Sequence, residues 1–263
     1  MQTQPISRVP RASIMLGDPR MLTRTSELVD SQERLPFTVR LVQTPEDLHK
    51  AVEIRRQAYA RHMPDVAEKL REPEDVDTQP GVAVLLAESK LDGSPLGTAR
   101  IQTNRHAALA LQTSVDLPRW LDGKALAHVS RLGVVQGGMG RLVKLMLFKG
   151  LFRYWEKERI DWAVVAARPP LDRMYEQLLF QDVFPDQGFV PLPHMNNIAH
   201  RVMAFEVATA FRRWSQAGHP LTKFIFFTTH PDLDLDGKPG RDERNLVPDG
   251  QRVQLNRPHR FDA

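Results

Sequence analysis

The 263-residue chain contains no cysteine. Disulfides, thiol nucleophiles and thiolate-bound metals are thereby excluded, while nothing follows about redox compartment. Long apolar runs are missing as well. None approaches the roughly 20 residues that a bilayer-spanning helix needs, so no transmembrane segment is expected. Residues 1–35 have scattered charges but no continuous apolar stretch, so no secretory signal is expected either. Aromatic residues make up only 7%, and no Lys/Arg block has aromatics interleaved with it, so nucleic acid is not an expected partner. His194, His200, His219 and His230 lack metal-ligand spacing, and no metal site is expected. The cytoplasm is the default location.

What remains is the composition of an ordinary globular protein, 41% hydrophobic and 26% charged. A net charge of +4 and a pI near 9.5 favour an acidic partner, such as a carrier protein or a phosphate-bearing cofactor.

Three regions are expected: an arm over 1–35, a catalytic core over 36–208, and a C-terminal extension with an irregular tail over 209–263. The core opens with the alternating strand Phe37–Val42. Thr44-Pro45-Glu46-Asp47 then has the cap, the proline and the acids that start a helix. Residues 81–87 and 96–101 read as a hairpin around the turn Leu91-Asp-Gly-Ser-Pro95. A strand over 125–135 leads into a long helix with an apolar stripe of Leu142, Leu145, Phe148, Phe152 and Trp155. A strand over 162–167, a helix entered through Pro169-Pro170 and a strand over 201–207 follow. The order βα(α)βββαβαβ predicts an α/β (α+β) fold, with a mixed, mostly antiparallel sheet and one parallel unit built around a helix. Residues 224–231 read as a further strand.

The stretch His128-Val-Ser-Arg-Leu-Gly-Val-Val-Gln-Gly-Gly-Met-Gly140 carries the chemistry. A strand passing through Gly138-Met139-Gly140 into a helix resembles the GCN5-related N-acetyltransferases. That family's Gln/Arg-x-x-Gly-x-Gly/Ala turn binds the pyrophosphate of coenzyme A. Here Val135 occupies the Gln/Arg position, and Gln136 comes one place later.

Leu96-Gly-Thr-Ala-Arg100 with His128-Val-Ser-Arg131 resembles the signatures of acyl-homoserine-lactone synthases and N-acyl amino acid synthases. Glu74-Asp-Val-Asp77, Arg55, Arg56, Gln57, Tyr59 and Thr229-His-Pro-Asp232 extend the likeness over roughly residues 37–235. Where those families carry Glu, this chain has His128. The resemblance implies transfer of a fatty acyl group from a thioester to the amine of an amino acid. Acyl carrier protein is the preferred donor and coenzyme A the alternative, with no permanently bound cofactor. The rival readings are a coenzyme A-dependent N-acetyltransferase, a homoserine-lactone synthase and a non-catalytic acyl-carrier or lipid-binding module.

Such chemistry needs a base, an oxyanion donor and a way to release the thiolate. Strand alternation puts His128 and Ser130 on one face and Arg131 on the other. With an ordinary pKa near 6.5, His128 is the candidate base and Ser130 orients substrate. Backbone N–H groups at Val134 and Val135 are candidates for polarising the thioester, and Gly138 and Gly140 for holding the donor's phosphates. Arg100 and Arg131, with Asp75 and Asp77, are candidates for substrate binding; mutual ion pairing explains them equally well. Tyr175 is a candidate proton donor to the thiolate, although its place in an apolar stripe suits core packing. Trp155 and the apolar helix faces suit an acyl tunnel or simple packing. Lys144, Lys149 and Arg153 form the expected carrier-docking face. Residues 232–243 match an EF-hand calcium loop in pattern, but without flanking helices no ion is expected there.

Overall fold

A computed structural model describes residues 31–236 apart from residue 196. After the two-residue β1 (Ser31–Gln32) comes β2 (Phe37–Leu41), which buries Phe37 and Val39. α1 (Pro45–Ala60) starts as its sequence dictates: the Thr44 hydroxyl accepts the Asp47 N–H at 3.1 Å, and Glu46 and Asp47 occupy the first turn. α2 (Pro64–Lys69) and a 3₁₀ turn (Asp75–Thr78) lead to the hairpin of β3 (Val82–Ser89) and β4 (Pro95–Thr103). Then follow α3 (Ala110–Ser114), β5 (Leu126–Val134), α4 (Gly137–Lys157), β6 (Trp162–Ala167) and α5 (Leu171–Gln177). The short β7 (Gln181–Asp182) and β8 (Phe189–Leu192) both pair with β9 (Ile198–Glu206). α6 (Ala210–Gln216), α7 (Thr222–Phe227), β10 (Thr228–Thr229) and β11 (Leu233–Asp234) complete the described chain.

The main sheet runs β11-β2-β3-β4-β5-β6-β9-β7, with β8 beside β9. β2 through β5 are antiparallel, β5 and β6 are parallel across α4, and β9 returns antiparallel. This is the mixed, mostly antiparallel sheet that the order of elements predicts.

The two faces of the sheet differ. One is covered continuously by α4 and the C-terminal helices, where Val143, Leu147 and Leu151 meet Ala99, Ile101 and Val165. Each buried Val, Leu or Ile side chain there contributes about 1.5–3 kcal/mol of hydrophobic stabilisation. The other face carries two separate apolar patches. α1 covers β3 through Leu48, Val52 and Leu86, while Leu109 and Leu111 cover Leu126, Val164 and Val202. Polar residues of β4 and β5 occupy the ground between these patches.

Three sequence expectations need correction. On α4, Leu142 and Leu145 are only partly buried, whereas Val143, Met146 and Leu147 are buried. The helix lies between the sheet and α6–α7, so its buried arc is wider than a one-sided stripe. Residues 224–227 belong to α7, not to a strand, because Phe224–Phe227 packs as a helix against α4; only Thr228–Thr229 is extended. The stretch after Pro231 is not wholly irregular, since Leu233–Asp234 adds a parallel edge to β2. Residues 1–30 of the expected arm lie outside the described residues.

Lys149 is also misplaced by the sequence reading. It is buried, and its ammonium donates to Phe224 O at 2.6 Å and to Thr228 O, closing the end of α7. Burial lowers its pKa to about 8. It cannot belong to a docking face.

Candidate active site

β5 and β6 pair only over Leu126–Val129 and Trp162–Val165, although β5 continues to Val134 and β6 to Ala167. The two strands part after Val129 and Val165, opening a wedge in the sheet. Beside it the β4–β5 register slips. Thr98 faces Gly133 while Arg100 faces Ser130, so β5 holds one extra residue there. Arg131 adopts φ 55° within that bulge, a conformation rare for a side chain of its size. The bulge overturns the simple alternation: Arg131 reaches the same acidic group as Arg100 and does not point to the opposite face.

That group is Glu74, which the sequence reading did not select. Its carboxylate accepts from Arg131 Nε at 2.7 Å, Arg131 Nη2 at 2.5 Å and Arg100 Nη1 at 2.9 Å. Asp77 accepts from both terminal nitrogens of Arg55 at 2.8 and 3.0 Å, and from Arg100 at 3.3 Å. Arg55 is itself fully buried on α1. Burial works to raise both carboxyls, but the hydrogen bonds and charges of the three guanidinium groups hold them below the usual carboxylate range. The 3₁₀ turn explains the selection. Glu74 and Asp77, three apart, close a capping box in which the Glu74 N–H donates to Asp77 at 2.9 Å. Asp75 points outward, is exposed, and has no place in the cluster. The usable signal was the three-residue spacing of the acids.

Ser130 Oγ accepts from Arg100 Nε at 3.2 Å. His128 is buried, and neither ring nitrogen has a hydrogen-bond partner among the described residues. Burial, then the nearby His194, Arg100, Arg131 and His200, pushes its pKa down to about 3. The ring is therefore neutral at physiological pH and a poor proton acceptor, unlike the base expected from its ordinary value. His194 Nδ1 lies 2.6 Å from Ser114 Oγ.

Tyr175 sits elsewhere, in the core of the opposite face, with Phe148 and Phe180 ring centroids at 6.2 and 5.1 Å. Burial raises its phenol above the ordinary range. The neighbouring aromatic core encloses a small apolar cavity between Phe148, Phe152, Trp155, Trp214 and Phe226.

The Val135 N–H is not splayed free, because it donates to Leu96 O at 2.9 Å. Downstream, Gln136 through Met139 are exposed and the first N–H groups of α4 have no side-chain cap. Gly137 takes φ 82°. Gly140 is packed so tightly under the strand end that a Cβ there would lie 1.8 Å from Val135 O. Gly138 by contrast faces open space, with Arg141 Nη2 the nearest group at 3.8 Å from a Cβ.

Among the described residues no group of acids and histidines is arranged to hold a metal ion. Asp232 of the calcium-like segment accepts from Leu35 N at 2.7 Å and from Lys90 at 2.5 Å, and residues 237–243 lie outside the described residues. No described helix is long and apolar enough to cross a membrane.

No protein-family model and no curated protein matches the chain. Solved structures do match. FeeM, an N-acyl amino acid synthase from uncultured soil microbes, aligns with TM-score 0.55 and 18% identity over 69% of this chain and 96% of its own. The coenzyme A-dependent acyl-homoserine lactone synthase BjaI, with SAM and isopentyl-CoA, aligns at 0.49 and 12% identity over 74% and 93%. Aminoglycoside acetyltransferase AAC(6')-Ib, in complex with coenzyme A and kanamycin, gives 0.44 and 20% over 67% and 98%. The chain thus shares the fold of that N-acyl amino acid synthase.

Proposed function

We propose that the protein is a cytoplasmic acyltransferase that moves a fatty acyl group from a thioester to the amine of an amino acid. The observation that carries this reading is a charge surplus beside the parting strands. Among the described residues, three guanidinium groups, Arg55, Arg100 and Arg131, meet only two carboxylates, Glu74 and Asp77. One positive charge is left for the carboxylate of an acceptor, which guanidinium forks grip well. A carboxylate held there leaves the amine to reach the wedge near Ser130 and His128. The fold it shares with an N-acyl amino acid synthase supports the same reading.

The exposed start of α4, with Gly138 and Gly140, suits the phosphate of the donor's pantetheine arm. Carrier-bound and coenzyme A-bound donors share that arm. An acidic carrier protein is preferred because the chain is basic. In the reaction the amine nitrogen bonds to the thioester carbonyl carbon, an oxyanion forms, and its collapse expels the thiolate. The amine's proton ends on the thiol. Tyr175, in the far core, is assigned to packing.

The test is amide formation, read by mass spectrometry, with one amino acid pool and two donors: carrier-bound and coenzyme A-bound fatty acyl thioesters. Absence of amide with both donors would sink the reading. Acetylation with no long-chain product would favour the N-acetyltransferase, a lactone the lactone synthase, and donor binding without turnover the non-catalytic module. Docking has its own expected result. Charge reversal at Arg141 and Lys144, on the open start of α4, should raise the KM for carrier-bound donor and weaken its salt dependence. Unchanged kinetics with a confirmed carrier donor would remove this face.

A further inference from the structure

We infer that His128 acts as an uncharged hydrogen-bond donor to the thioester carbonyl. The inference rests on the acyl-transfer reading and supplies the oxyanion donor which that chemistry requires. A neutral imidazole carries one N–H and one bare nitrogen in either tautomer. Because neither nitrogen of His128 has a protein partner among the described residues, its N–H is free for a ligand. Its place is also suitable. His128 pairs with Val164 one step before β5 and β6 part, and the register sets it diagonally from Arg100.

Burial, and then the charges around the ring, keep it in the donor form. His194 from the 3₁₀ turn Pro193–Met195, His200 from β9, Arg100 from β4 and Arg131 from β5 all disfavour a proton on it. The largest influences on the ring among the described residues all act against a second proton, and the nearby Glu74 and Asp77 are paired with guanidinium groups. A neutral imidazole of depressed pKa polarises a carbonyl without becoming a cation, whereas it makes a weak base.

Ser114 Oγ donates to Ala110 O at 2.7 Å, as the Thr113 hydroxyl does at 3.0 Å, and lies 2.6 Å from His194 Nδ1. His194 Nε2 is buried and has no partner among the described residues, so it does not occupy the His128 N–H. During transfer the carbonyl electron pair moves onto oxygen and is held by that N–H. When it returns, the C–S bond breaks and the thiolate takes the amine's proton through water. His128 ends in the protonation state in which it began.

Two measurements test this on the full chain. In ¹⁵N-histidine spectra between pH 5 and 8, His128 should stay neutral throughout. In turnover, His128→Leu should lower kcat by roughly 10²–10³, the usual cost of one oxyanion donor. His128→Gln, which keeps an N–H, should lose less than about tenfold by the same reasoning. A His128 resonance titrating near its ordinary value overturns the proposal whether or not the variants fold. So does a Gln variant as slow as the Leu variant. If no thioester yields amide, the acyl-transfer reading fails and takes this proposal with it; turnover with a titrating His128 overturns this proposal alone.

Discussion

Asp77→Ala is expected to destabilise the protein by about 3–5 kcal/mol, the usual cost of leaving a buried charge without its partner. Arg55 and Asp77 are both fully buried as side chains and share two hydrogen bonds. Removing the carboxylate strands the Arg55 guanidinium, whose remaining contact with Glu74 is 3.4 Å long. It also removes the acceptor that closes the Glu74 capping box, loosening the turn that holds Glu74 against Arg100 and Arg131. A thermal melt at neutral pH should fall by about 6–20 °C for a domain of this size. Asp77→Asn, which keeps an acceptor oxygen, should lose less.

The pH dependence has a definite sign. The folded carboxyl of Asp77 is held below its ordinary value by its guanidinium partners, against burial. Its contribution is therefore complete above the unfolded value of about 4 and is lost as pH falls through the lower folded value. The gap between native and Asp77→Ala melts should shrink in acid. A gap that persists undiminished well below the folded value, or a neutral melt unchanged by the substitution, would show that the pair does not hold the site together.

Gly140→Ala should damage the donor end of the site as severely. A Cβ there would meet the Val135 carbonyl oxygen at 1.8 Å, and a backbone atom has no rotamer with which to give way. The strand end and the first turn of α4 must separate, at a cost of about 1–3 kcal/mol or more. The exposed N–H groups of residues 137–139 would move with it. The expected result is a KM for thioester donor raised by an order of magnitude or more, taking about 1.4 kcal/mol per tenfold, with the amino acid KM little affected. Gly138→Ala is the control for stability, because its Cβ has open space around it. Equal melts for the two variants would refute the steric account.

Much of this architecture was legible from local chemistry. The Thr44 cap, the first-turn acids and the hairpin around Gly93 each follow from residues within a few positions of one another. So does the strand, glycine turn and helix of residues 126–157. Short range was also the limit. Lys149 looked like a surface cation because its neighbours on α4 are mixed; its partners are Phe224 and Thr228, more than seventy residues away. Phe224–Phe227 looked like a strand because bulky apolar residues in a row suit either conformation until packing decides.

The sequence by itself determined which groups are present: the arginines, the acids, the imidazoles and a glycine turn able to start a helix. It also determined the order of the main strands and helices between residues 37 and 207, because periodicity and turn residues act locally. Only the tertiary structure decided what those groups can do. One extra residue in β5 brings Arg131 onto the acid that Arg100 already holds, a choice no alternation pattern contains. Likewise, His128 has the same side chain in any context, but its protonation depends on what is buried around it. Desolvation and the charges from β4, β5, β9 and the turn at His194 set that value, and these meet only when the sheet closes.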